Sequence, residues 1–80
     1  MPIHEILSPL PGTFYRRAAP DQPYFVEVDS TVASGAVVGL VEVMKQFTEV
    51  EGHVSGRVVE VTVEDGEPVD AGQVIIRIEE

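Results

Sequence analysis

The feature that most constrains this chain is an internal duplication. Val32-Ala33-Ser34-Gly35 recurs 37 positions later as Val69-Asp70-Ala71-Gly72. The same offset sets Val37 on Val74, Val38 on Ile75, Val41 on Ile78, Glu42 on Glu79, and Val26-Glu27 on Val63-Glu64. Upstream, Pro11-Gly12-Thr13-Phe14 matches Ser55-Gly56-Arg57-Val58 at an offset of 44. The first half therefore holds seven extra residues. Ala18, Ala19, Pro20, Asp21, Gln22, Pro23 and Tyr24 are the natural place for them, because the two prolines in that segment forbid a regular interior strand. Each half reads as a glycine turn, a strand, a polar turn, a Val-x-x-Gly turn and a closing strand that ends in glutamate. Two such halves can pack as two small antiparallel sheets over one valine core, with an extra loop protruding from the first.

Residue types agree with this all-β reading. Valine and isoleucine fill 20 of 80 positions, and β-branched residues suit a pleated sheet better than a helix. Strands are expected at Ile3 to Ser8, Gly12 to Arg16, Phe25 to Val28, Val37 to Val43, Gln46 to Glu51, Gly56 to Val61 and Val74 to Glu79. Val59, Val61 and Val63 alternate with Glu60, Thr62 and Glu64, the pattern of a half-buried strand. One local pattern competes: Leu40, Val43, Met44, Phe47 and Val50 recur at helical spacing. The duplication favours a hairpin there, because Val37–Glu42 matches a closing strand. Met44-Lys45 lacks the Gly or Asn of an ordinary tight turn, so a hairpin predicts backbone strain at its tip.

That tip holds the chain's only lysine, against four arginines. Arginine cannot replace lysine where a nitrogen must lose its proton and attack an electrophile. A single amine at the junction of two half-repeats points to covalent attachment. A lysine amine, with a pKa of about 10.4, is mostly protonated at neutral pH, so attachment needs a partner enzyme. The remaining composition narrows the field. A formal charge of -9 argues against nucleic acid or an anionic membrane as partner. No stretch has the length of a membrane span, and no signal peptide is evident at the N-terminus. The lack of cysteine is compatible with a reducing, cytoplasmic setting. His4 and His53 have no ligand-spaced partners, no nucleophilic triad stands out, and no glycine-rich phosphate loop is present. Catalysis by the chain itself is therefore not expected. The 80 residues read as one domain, 1–80.

With the lysine set between the half-repeats, the chain resembles the biotinyl domain of the biotin carboxyl carrier proteins of bacterial-type acetyl-CoA carboxylase. The resemblance rests on Ser8-Pro9-Leu10-Pro11-Gly12-Thr13-Phe14-Tyr15-Arg16, Ala19-Pro20-Asp21, Phe25-Val26-Glu27-Val28, Val41-Glu42-Val43-Met44-Lys45, Ser55-Gly56 and Gly66-Glu67-Pro68-Val69. It implies a flattened β-barrel (a barrel-sandwich hybrid) of two pseudo-symmetric antiparallel four-stranded sheets. It implies biotin in amide linkage on Lys45, and a thumb formed by Ala18 to Tyr24 beside it. It also implies three partners: a biotin protein ligase that reads Glu42, Val43 and Met44, a biotin carboxylase that loads a carboxyl group, and a carboxyltransferase that passes it to acetyl-CoA for fatty acid biosynthesis. The sequence departs from the family at Val43, where alanine is usual, and at Gln46-Phe47.

Read from the residues alone, alternatives stay open. Lys45 is either an attachment point or an exposed surface amine. Glu42 reads equally as a recognition residue or a solvated strand end, and Met44 as a recognition residue or a core filler. The insert is either a cofactor-side wall or a tolerated surface loop. Three functions remain in competition: a biotinylated carrier, in acetyl-CoA carboxylase or another biotin-dependent carboxylase; a lipoyl-type acyl carrier; and an unmodified interaction module. Aspartate usually precedes the lysine of lipoyl domains, so Met44 favours biotin.

Overall fold

The computed structural model describes residues 2–80. Its strands are β1 (Ile3–Leu7), β2 (Gly12–Tyr15), β3 (Thr31–Val32), β4 (Val37–Val43), β5 (Gln46–Glu51), β6 (Gly56–Val61), β7 (Glu67–Val69) and β8 (Val74–Glu79). They form two four-stranded sheets, ordered β1-β8-β6-β3 and β5-β4-β2-β7, and every pairing is antiparallel. The described residues contain no helix. The sheets make a flattened barrel with extents of 37 × 27 × 19 Å.

The duplication in sequence is a duplication in register. Exchanging β1 with β5, β2 with β6, β3 with β7 and β4 with β8 turns one sheet order into the other. Ile6 pairs with Ile76, and their counterparts Val50 and Gly39 pair in the other sheet. Both pairs sit beside a bulge, at Ile6/Leu7 and at Val37/Gly39. Backbone bonds repeat as well: Asp29 N–H donates to the Val58 carbonyl at 2.8 Å, and Gly66 N–H to the Phe14 carbonyl at 2.7 Å. Asp29 and Gly66 both sit at positive φ, 78° and 87°. The first half thus places an aspartate where the second uses glycine, the residue with no Cβ to clash there. Gly12 and Gly56 are a further matched pair. A Cβ on Gly12 would lie 2.8 Å from Val43 Cγ2, and one on Gly56 would lie 2.9 Å from Ile78 Cγ2. At both positions glycine lets the neighbouring strand, β4 or β8, approach closely.

The core lies between the sheets. Phe14, Val41, Val58, Ile75 and Ile78 are fully buried, with Ile6, Val38 and Ile76 nearly so. Matched valines from both halves, Val26 with Val63 and Val32 with Val69, close its ends. For a chain this short, that two-sided burial is the main favourable term.

Three sequence expectations need correction. Phe25 to Val28 is not a strand but an irregular segment ending in the turn at Asp29, and its counterpart around Val63 is irregular too. Val26 and Val63 are buried as core plugs without ladder pairing. The short strands β3 and β7 were not expected, although they fall on the repeated Val32 and Val69. The expected alternation does hold in burial, with Val59, Val61 and Val63 half-buried or buried and Glu60, Thr62 and Glu64 exposed, while a bulge between Val58 and Glu60 buries Val58 as well. Finally, β1 and β2 each end one residue early, at Leu7 and Tyr15.

Candidate functional site

The helical spacing around Val43 belongs to two strands. β4 and β5 pair from Val37↔Glu51 to Val43↔Gln46, leaving only Met44 and Lys45 to turn the chain. Their φ angles are 51° and 67°. Two consecutive left-handed residues define a type I′ hairpin, whose twist matches that of the strands. Neither is Gly or Asn, and each L-residue held there costs about 1–2 kcal/mol. The long β4–β5 ladder imposes this conformation. Met44→Asn is therefore expected to raise Tm by about 2–8 °C, by relieving strain at one turn position. Thermal melts followed by circular dichroism would measure it.

The tip presents its side chains to solvent. Met44 is 91% exposed and Lys45 is exposed as well. Among the described residues Lys45 has no ion-pair partner. Val43 is half-buried and packs against the core. A shallow hollow beneath the tip is lined by Leu10, Val43, Met44, Gln46 and Thr48.

The other face of the hairpin carries a separate group. Phe14 and Val41 pair across β2 and β4 and point into the core, so their neighbours Tyr15, Leu40 and Glu42 point outward. Phe47 joins that outer face through its pairing with Glu42. The Tyr15 hydroxyl donates to Glu42 Oε1 at 3.2 Å. That bond to the carboxylate, then desolvation, then the charges of Glu42 and Asp65, hold the phenol above its ordinary pKa. Tyr15 also packs against Phe47, with ring centroids 6.1 Å apart.

The insert folds over this outer face. Its base is closed by Phe25 N–H donating to the Arg16 carbonyl at 2.7 Å. Its tip turns where Gln22 N–H donates to the Ala19 carbonyl at 3.0 Å. Asp65 anchors one side, accepting from Arg16 N–H at 2.6 Å and pairing with Arg17 at 3.5 Å. The Arg16 guanidinium lies 4.1 Å from the Tyr24 ring centroid, a cation–π contact that pins the other end. A cavity of about 260 Å³ remains between insert and sheet. Ala18, Ala19 and Pro20 form one wall, and Tyr15 and Phe47 another.

The two halves show what the insert covers. Arg77 occupies the second-half position that matches Leu40, and it pairs with Glu5 at 3.2 Å and with Glu60. In the first half the same outward position is apolar. Leu40 is only 9% exposed, yet it stands apart from the contiguous core. An exposed polar bridge in one half is thus replaced in the other by a leucine on the face over which the insert folds.

Of the residues expected at the site, Glu42, Val43, Met44 and Lys45 gather on the hairpin, with Glu42 outward and Val43 inward. Ala18, Ala19 and Pro20 face Phe47, which lies just beyond Lys45 on β5. Asp21, Gln22 and Pro23 form the exposed end of the loop, and Tyr24 packs back on Arg16. Tyr15, Arg17, Phe47 and Asp65 belong to the same constellation and were not singled out from sequence. Asp65 falls at the repeat position of Val28, so the contrast between halves was the available signal. The fold also brings the His4 and His53 rings to 6.1 Å, at right angles, with His4 Nε2 lying 2.7 Å from Glu80 Oε1. Among the described residues no group of three His, Asp or Glu is arranged to hold a metal ion.

A duplicated eight-stranded barrel with one amine on a strained tip and a loop folded beside it defines a class of small attachment scaffold. The model of the family described as "Biotin-requiring enzyme", the biotin–lipoyl domains, matches residues 4–78, and the chain belongs to that family. It is 45% identical over 76 residues to the biotin carboxyl carrier protein of acetyl-CoA carboxylase from Nostoc sp., covering 95% of this chain and 42% of that one. It is 47% identical over 73 residues to the protein of the same name from Chlamydia pneumoniae, covering 91% and 44%. The chain thus spans less than half the length of these relatives. Among solved structures, the Kluyveromyces lactis urea carboxylase superposes on 99% of the chain with a TM-score of 0.80 at 25% identity, using 6% of its own length.

Proposed function

We propose that the chain, as one domain over residues 1–80, is a carrier of biotin held in amide linkage on Lys45. The observation that carries this reading is the tip itself: two left-handed residues at the junction of the half-repeats present an exposed amine that has no ion-pair partner among the described residues. A partner enzyme can enclose an amine presented this way without disturbing the core. A biotin protein ligase reads Glu42, Val43 and Met44 and removes the lysine proton. Lys45 Nζ then attacks the carbonyl of activated biotin, an amide forms and AMP leaves.

The residues fit the group. A cavity walled by Ala18, Ala19, Pro20, Tyr15 and Phe47 lies alongside the strand that leaves the tip, and its lining is mostly apolar. The whole insert, Ala18 to Tyr24, then serves as a thumb beside the biotin. When attached, biotin supplies a ureido ring that accepts and gives up a carboxyl group. The domain itself contributes no catalytic group; it orients the arm and carries it between enzymes at high effective concentration. The resemblance to the Nostoc and Chlamydia proteins favours a biotin carboxylase and a carboxyltransferase of acetyl-CoA carboxylase as the two stations. The product would be malonyl-CoA for fatty acid biosynthesis, in the cytoplasm. Neither nucleic acid nor membrane has a part in this cycle.

Intact-mass measurement after co-expression with a biotin protein ligase tests the assignment. One amide-linked biotin per chain is expected. Labelling by a lipoate ligase instead would select the lipoyl-type carrier, and a chain that neither ligase labels would select an unmodified interaction module.

A further inference from the structure

We propose that Tyr15 is a positioning residue for the modification of Lys45, acting through Glu42; this rests on the reading of Lys45 as a ligase substrate. Glu42 lies three residues before Lys45 on the outer face of β4. A carboxylate there, left alone, samples several rotamers and offers an incoming enzyme no fixed acceptor. The Tyr15 hydroxyl removes that freedom by donating to Glu42 Oε1 at 3.2 Å. The bond to that carboxylate, and then desolvation, hold the phenol above its ordinary pKa.

The Tyr15 ring does a second thing. It packs on Phe47, the cross-strand partner of Glu42. One side chain thus holds two neighbours on the outward face beside the tip, one anionic and one apolar. Phe47 is 58% exposed, so this rim is open to a partner. The insert faces this rim across one cavity, which Tyr15 and Phe47 line together with Ala18, Ala19 and Pro20. The repeat offers a contrast. At the matching place in the second half, Val59 stands for Tyr15 and Ile3 for Phe47, and Glu79 is bound instead by Arg57 at 3.2 Å. The aromatic-and-carboxylate rim belongs to the lysine-bearing half alone.

Preorganisation of this kind lowers the cost of docking and leaves the chemical step untouched. Steady-state biotinylation of the 80-residue chain by a biotin protein ligase, with biotin and MgATP, tests it. Tyr15→Phe keeps the ring and removes the hydroxyl. It is expected to raise KM for the chain about 3- to 10-fold, the size of coupling seen between residues in contact, with kcat unchanged. In a Glu42→Ala background, Tyr15→Phe should change nothing further. Glu42→Gln approaches the pair from the other side and should raise KM by a similar factor. Thermal melts of each variant report any general loss of structure. Equal KM for Tyr15→Phe and wild type would overturn the proposal, as would an undiminished Tyr15→Phe effect in the Glu42→Ala background. A wild-type chain that takes no biotin would overturn the reading of Lys45 itself, a separate result.

Discussion

Lys45→Arg is expected to abolish biotin incorporation completely, with the fold intact. The variant keeps the positive charge and nearly the length of the side chain. It loses the ability to present a neutral nitrogen, because the guanidinium stays protonated above a pKa of about 12 and its lone pairs are delocalised. No other lysine can take over, since the chain has none. The readout is therefore binary: the mass increment of one biotin in wild type, and none in the variant. Stability should change by less than about 0.5 kcal/mol, because the side chain is exposed and touches no partner among the described residues. A melt matching that of wild type, together with lost labelling, separates loss of the nucleophile from loss of the hairpin. Residual labelling of the variant would place the attachment elsewhere, on the N-terminal amine.

What could be read from sequence follows the physics of the duplication. β4, β5, β6 and β8 are bounded as expected because each repeats a hydrophobic strand of useful length beside a turn residue. β3 and β7 are only two and three residues long, too short for a period-2 pattern to show. Phe25 to Val28 has strand composition but no ladder, because Phe25 and Val26 cap the core while the chain turns at Asp29. At the site, Lys45 was legible through its uniqueness, and the insert through the slip in register. Tyr15, Phe47 and Asp65 were not, because their roles come from contacts between segments far apart in sequence. Tyr15 meets Glu42 across 27 positions, and Asp65 meets Arg16 across 49. No window of local sequence contains either pair.

The core of this protein should tolerate being rewritten by its own second half, provided two positions change together. Phe14 and Val58 are matched and both fully buried, as are Gly39 and Ile76 at the adjoining layer. One half therefore fills its share of the core with a large ring and no side chain, the other with two branched aliphatics. The coupling is visible at Gly39. A Cβ built there would lie 2.7 Å from Phe14 Cζ, so the ring occupies the space that a side chain would need. Gly39→Ile alone drives a branched side chain into that ring and should cost about 3 kcal/mol or more. Phe14→Val alone leaves a cavity and should cost about 2–4 kcal/mol. For a domain of this size, with a total stability of roughly 4–12 kcal/mol, either change endangers folding. Independent effects would cost the double variant about 5–7 kcal/mol or more, most or all of that stability. Phe14→Val with Gly39→Ile instead reproduces the Val58–Ile76 arrangement, and is expected to return to within about 2 kcal/mol of wild type. Urea titration of the four proteins closes the cycle, with a coupling of several kcal/mol as the expected result. Additive losses would mean that the two halves use unlike packing behind a like backbone. Recovery would show that their volumes, and not only their ladders, descend from the repeat.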